Sequence, residues 1–404
     1  MQRVWEGLGR PRGYLAGGFL RDHLLGRESI DLDLSLVGSV DDVAAPARRL
    51  ADFLGTRAHL LGKPPRCVWR IDTPDLKVEL WPLGSLSLDD DILRRDFKCN
   101  ALAWELPDGP LIDRIGGLDD LRDGRLTAVA RGNLQDDPVR LLRGPRFVAE
   151  LESFRIEHQT AHWIRELAPR LSYAPRARVG HELLRTLRAP AAERGIHSIL
   201  DLGLLRFAAP SDSALDSGWL HDNAQACGRL GSPEDHPIPA SLRAAGDSAR
   251  LVPLFMAWGR PSDAAVAAYG WPRHQRRNAT HAAGLLERAM AAVDADPADR
   301  REIIHAAGEA FPALLAAAAA IHSPDEPSVD RWRRWWTQWT RNGSNLVRPA
   351  PLLEASEVAE ILACGEGPTL GAAISVLTVA QVRGEVRTAA GARRWLEQHH
   401  DRHK

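Results

Sequence analysis

A chain of 404 residues has room for roughly two to four domains and a substantial buried core. Its 52 Lys+Arg nearly cancel its 53 Asp+Glu, so net charge cannot draw in a nucleic acid and any such partner must be met by local basic patches. Cys67, Cys99, Cys227 and Cys364 show neither a CxxC nor a disulfide framework, the N-terminus lacks a signal-peptide core, and no apolar run is expected to span a bilayer; a cytoplasmic protein with no membrane partner is the expectation.

In chain order, "RGYLAGG" predicts a short strand ending on Gly17-Gly18, followed by a helical "FLRDHLLG". Such a turn lets backbone N–H groups approach a phosphate closely, and a tight turn needing positive φ is the plainer alternative. From Ile30 to Leu36 apolar and polar residues alternate, the period of a half-buried strand. Asp31 and Asp33 then share one face, about 7 Å apart along the chain. They can chelate one or two Mg²⁺ ions, phosphates supplying the remaining oxygens; a solvated strand face is the alternative. A helix is expected over Val43–Leu54. "RCVWRI" and "KVELWPL" flank the turn "DTPD" as a hairpin would, and "NALAWEL" and "PLIDRI" around "PDG" form a second. Lys77, Glu79 and Trp81 share a strand face opposite Val78 and Leu80, so Glu79 completes a carboxylate triad if its strand neighbours that of the aspartates. Otherwise it is an exposed hairpin residue.

From Pro138 onward the pattern is helical. In "DDPVR", Asp137 is placed to cap a helix with Pro138 at its first position, and Asp137 and Arg140 fall on one side of the first turn. Gly144-Pro145 is expected to kink that helix. Arg170, Arg176, Arg178, Arg185 and Arg188 make a locally basic stretch that could meet RNA phosphates or simply be solvated. Trp332, Trp335, Trp336 and Trp339 follow helical spacing, which favours packing over stacking on RNA. His221-Asp222 lacks the further ligands of a His-Asp phosphohydrolase centre, and the terminal "HHDRHK" reads as a tail.

Four segments occur in order: "GGFLRDHLLGRESIDLDL", "RRDFKCNALAWE", "LIDRIGGLDDLRDGRL" and "DDPVRLLRGPRF". Over residues 13–185 the chain thereby resembles the class II tRNA nucleotidyltransferase/poly(A) polymerase family, and most a CC-adding member. The resemblance implies an α+β fold. A polymerase-beta-like head with a small mixed sheet spans residues 1–130, an all-α neck 131–190, and a helical body and tail that bind tRNA 191–404. It implies template-independent transfer of nucleotides to the 3′ end of tRNA with release of pyrophosphate. Two Mg²⁺ ions would be held by Asp31 and Asp33, with Glu79 as the third catalytic carboxylate. Gly17, Gly18, Arg21, Arg94 and Arg95 would lie on the nucleotide, Asp96 and Asn100 on its ribose, and Asp137 and Arg140 on its base. Arg176, Arg178 and Arg185 would contact RNA. An Asp that accepts from an exocyclic amine and an Arg that donates to the neighbouring ring acceptor suit cytosine or adenine, and repel uracil and guanine.

Some residues depart from the family pattern. Lys98 and Cys99 replace a Thr and an apolar residue, and Ala177 replaces a Glu. The link Leu80–Leu93 is shorter than in enzymes that finish with A, as in members that add only two cytidines from CTP. The alternatives are a complete CCA-adding enzyme that also takes ATP, an A-adding enzyme, a poly(A) polymerase, and a non-catalytic RNA-binding paralogue. The pattern leaves oligomeric state open.

Overall fold

The structure, a computed structural model, describes residues 2–63, 66–211, 213–322 and 326–399; the terminal tail from His400 onward lies outside them. The chain forms two compact units, Met1–Ala174 with Leu202–Phe207, and Pro175–Asp201 with Ala208–Lys404.

The first unit is built on a mixed sheet of seven strands: β1 (Gly13–Ala16), β2 (Asp31–Leu36), β3 (Ala58–Lys63), β4 (Arg66–Asp72), β5 (Lys77–Pro82), β6 (Leu102–Glu105) and β7 (Leu111–Asp113). Their order is β3-β4-β5-β2-β1-β6-β7, parallel only between β2 and β5. Both expected hairpins form, as β4–β5 and β6–β7. Leu32, Leu34, Leu36, Val78 and Leu80 point into one core with Val4, Trp5 and Leu8 of a short N-terminal helix and Val43, Ala47 and Leu50 of the helix Val40–Phe53. Burying each Val or Leu of this set fully stabilises the unit by roughly 1.5–3 kcal/mol. The helix starts three residues before the expected Val43 because Ser39 and Asp42 form a capping box.

The helix Arg140–Glu150 carries Gly144-Pro145 in its interior. Its first turn begins later than the sequence implied. Arg140 and Leu141 donate to the carbonyls of Asp137 and Pro138 in a tight turn, and no side chain caps the helix. Asp137 is therefore not an N-cap residue.

The second unit is helical. Phe255, Trp258, Tyr269 and Trp271 stack in its interior. The helix Glu326–Val347 buries Trp332 and Trp335 and packs Trp335 and Trp339 on Phe311, the packing role that their spacing favoured. One expectation needs amendment. Pro297–Ile321 is long and apolar enough to cross a bilayer by length and composition. Here it is two helices, Pro297–Ala307 and Phe311–Ile321, broken at Gly308 with φ 56°, and residues 311–320 are buried in the core.

Candidate active site

β2 lies fourth in the sheet, paired on both sides, so its side-chain directions are fixed. Leu32, Leu34 and Leu36 enter the core from one face, and Asp31, Asp33 and Ser35 line the other. The parallel register sets Asp31 opposite Lys77 and Asp33 opposite Glu79, while Ala16 lies across from Asp33 on the far side. The three carboxylates thus share one face, and the strand of Glu79 does neighbour that of the aspartates.

Their surroundings differ. Asp31 is 65% exposed at its side chain, with Lys77 Nζ 3.9 Å away. Glu79 Oε1 lies 3.6 Å from Arg70 Nη1; burial lifts its pKa, Arg70 opposing and Asp31 adding. Asp33 is pushed up to about 6, by burial first and then by the Glu79 carboxylate, against the pull of Arg95 and Arg143. A divalent cation would relieve that repulsion. Among the described residues no three His, Cys, Asp or Glu side chains converge as a closed metal cage, at His221-Asp222 or here. An open pair of carboxylates fits Mg²⁺, which takes one or two from protein and the rest from phosphate and water.

Gly17 ends β1 beside this platform with φ 82°. A Cβ on it would stand 2.8 Å from Asp33 Oδ2 and 2.9 Å from Arg95 Nη1, so both the backbone and the space require glycine. Gly18 opens the short helix Gly18–Leu24, with ordinary room for a Cβ. Gly17→Ala is expected to lower kcat/KM for the nucleotide at least roughly 10-fold and to lower Tm by a few degrees, measured by steady-state kinetics and thermal melting.

The segment "RRDFKCN" forms a buried network. Asn100 Nδ2 donates to Asp96 Oδ1 at 3.0 Å, Arg21 Nη1 donates to Asn100 Oδ1 at 2.8 Å, and the Phe97 N–H donates to Asp96 Oδ1 at 2.7 Å. Arg143 Nη1 sits 2.9 Å from Asp96 Oδ2. Burial alone would raise Asp96, but Arg143, the Asn100 amide, Arg140 and the Phe97 N–H outweigh it and hold the carboxyl below its ordinary value. Asp96, Asn100 and Arg21 are only 3%, 4% and 6% exposed. They are held by one another inside the unit, while Arg94 is exposed and Arg95 half-buried. Cys99 is buried, its thiol pushed up to about 12 by desolvation, and is inert packing. Asp96→Ala is expected to destabilise the protein by about 3 kcal/mol because it leaves a guanidinium and an amide without their partner, with denaturant unfolding as the measure.

Three contacts hold the neck against this motif. Asn133 Nδ2 donates to the carbonyls of Leu93 and Arg95, both at 2.7 Å, and Arg140 Nη1 donates to that of Arg94 at 2.8 Å. Arg140 Nε is 3.7 Å from Asp137 Oδ2, so the two residues face each other as the spacing implied. Sequence reasoning missed Arg143, although it lies three residues after Arg140 and so on the same helical side. It also missed Asn133, which nothing in its neighbours distinguishes.

Arg176, Arg178 and Arg185 belong to the second unit, on the helix Arg176–Arg188. Arg176 Nη1 donates to the Ala208 carbonyl at 3.4 Å, Arg178 is exposed and Arg185 half-buried. Arg188 is taken up by an ion pair with Asp247.

Residues 68–127 match the family model described as the poly A polymerase head domain, and residues 153–214 that described as the probable RNA and SrmB-binding site of polymerase A. The chain is 31% identical to an A-adding tRNA nucleotidyltransferase of Deinococcus radiodurans over 96% of each chain. It is 28% identical to a CC-adding tRNA nucleotidyltransferase of Synechocystis sp., covering 93% of this chain and 91% of that one. In fold it is similar to the CCA-adding enzyme of Bacillus stearothermophilus in complex with CTP, with a TM-score of 0.69, 21% identity and coverage of 99% and 96%.

Proposed function

The chain belongs to the tRNA nucleotidyltransferase/poly(A) polymerase family, and on that premise we propose that it adds the two cytidines of the tRNA 3′ CCA end from CTP, in the cytoplasm, releasing pyrophosphate. The observation that carries this reading is the link between β5 and the "RRDF" segment. Leu83 N and Gly84 N donate to the carbonyls of Leu36 and Gly38, and Ser87 and Asp90 form a capping box on the helix Leu88–Leu93. A turn and a capped helix leave no loop to shift the base-reading pair between a pyrimidine and a larger purine, so one kind of base is accepted.

Asp31 and Asp33 would hold two Mg²⁺ ions, which when bound supply activation of the 3′ hydroxyl and charge for the triphosphate. Glu79 adds negative potential that draws the cations to this face. The Gly17-Gly18 turn offers backbone N–H groups, and Arg95 a guanidinium, to the phosphates. Asp96 and Asn100, held rigidly, fix the wall that the ribose meets. Asp137 accepts from the cytosine amine and Arg140 donates to its ring nitrogen. Arg176, Arg178 and Arg185, within the segment similar to an RNA-binding model, take tRNA phosphates.

A second reading, addition of the terminal A alone, is favoured by the 31% identity to the A-adding relative; a fixed pair could equally fit adenine. Purified protein given labelled CTP and tRNA lacking its 3′ end is expected to incorporate label only with Mg²⁺. Incorporation of ATP alone onto tRNA already ending in CC would instead establish the second reading.

A further inference from the structure

The helix Leu88–Leu93 rests on the same sheet face as the carboxylates. Its Ile92 is fully buried against Tyr14, Ala16, Ala101 and Ala103. Two residues after Asp33 on the same face of β2, the Ser35 hydroxyl donates to Asp91 Oδ2 at 3.0 Å. The same oxygen accepts from Arg95 Nη2 at 2.8 Å. Arg95 Nη1 turns the other way, donating to the Asn100 carbonyl at 3.3 Å and lying 2.9 Å from where a Cβ on Gly17 would be. One carboxylate therefore ties three things together: the strand that bears Asp31 and Asp33, the short link, and the guanidinium nearest the glycine turn. An arginine loses several rotatable bonds' worth of freedom when fixed, and a charged hydrogen bond at one end of its fork sets where the other end points.

We propose that Asp91 is a positioning residue for nucleotide binding: it holds Arg95 against the Gly17-Gly18 turn, so that the link fixes the phosphate end of the site as well as the base-reading end. This rests on the reading of Gly17, Gly18 and Arg95 as the phosphate side. Ser35 is the outer anchor of the arrangement, since without it Asp91 still reaches Arg95 but is no longer tied to β2.

The test is steady-state kinetics on the full chain, with CTP and tRNA varied separately, for Asp91→Ala, Arg95→Ala, the double variant, Asp91→Asn and Ser35→Ala. Asp91→Ala and Arg95→Ala are each expected to raise the KM for CTP roughly 10-fold, with the KM for tRNA unchanged and the double variant no worse than Arg95→Ala. Asp91→Asn, which keeps an acceptor oxygen but not the charge, is expected to fall between parent and Asp91→Ala, and Ser35→Ala to show a smaller rise than Asp91→Ala. If Arg95→Ala leaves the KM for CTP unchanged, the phosphate-side reading falls and this inference with it. If Arg95→Ala raises it while Asp91→Asn and Asp91→Ala do not, or if the two effects multiply in the double variant, the inference alone is overturned.

Discussion

Asp33→Asn is expected to lower nucleotide transfer at least about 10³-fold while leaving the metal-free protein at pH 8 as stable as the parent, or more stable. The two effects have one cause. Asp33 sits half-buried on the sheet face with Glu79 directly across from it and Asp31 two residues before it. Its carboxyl is raised from an ordinary 3.8 to about 6, so the folded, metal-free protein prefers it protonated below about pH 6 and carries the cost of the charge above it. The associated stability is fully present below about pH 4 and is lost as pH rises through about 6, amounting to roughly 3 kcal/mol. Asparagine has nearly the same shape without the charge, so it removes both the penalty and the affinity for a cation. Melting in EDTA at pH 5 and pH 8 reads this directly: the parent is expected to lose stability between the two, and Asp33→Asn to lose less. An Asp33→Asn protein that transferred nucleotides at the parental rate would remove the carboxylate platform from the mechanism. For the same reason the apparent Mg²⁺ affinity of the parent is expected to weaken as pH falls below about 6, because protons and the cation compete for one oxygen pair.

Arg140→Ala is expected to lower kcat/KM for CTP by about 10²-fold, and Asp137→Ala to admit UTP to within about 10-fold of CTP. Arg140 is fixed by the Arg94 and Asn133 carbonyls at 2.8 and 3.3 Å, with Asp137 alongside, so the pair presents one donor and one acceptor in a set direction. A site built to pair with particular edge atoms rejects a base that leaves a buried carboxylate facing a carbonyl oxygen. Losing the donor weakens every cognate base, whereas losing the acceptor removes the repulsion of uracil. Competition between CTP and UTP separates these two effects. Arg140→Lys keeps the charge but not the planar fork and is expected to recover little of the lost kcat/KM.

The strands carrying the platform were legible because their periodicity is unbroken. Ile30 to Leu36 and Val78 with Leu80 alternate cleanly, and both hairpins announce themselves through "DTPD" and "PDG". The edge strand β3 was not legible: its side chains are mostly exposed, so "AHLLGK" lacks the alternation that burial imposes. The first turn after Asp137 misled because Pro at a helix start is common, yet here the carboxylate faces Arg140 and the helix goes uncapped. Motif order located Asp96 and Asn100, but residue type alone could not reveal that Arg21 and Arg143, far apart in sequence, would close around them. The link shows the same limit. Its length could be counted from the sequence, whereas its conversion into a capped helix tied to Ser35 depends on a contact across 56 residues.

The central claim is that this fixed link and fixed pair confine the enzyme to one base, and one measurement tests it most directly. A tRNA lacking its 3′ end is incubated with purified protein, Mg²⁺, CTP and ATP together, and the product ends are sequenced. The expected product gains two cytidines and stops there. A product ending in CCA would contradict it.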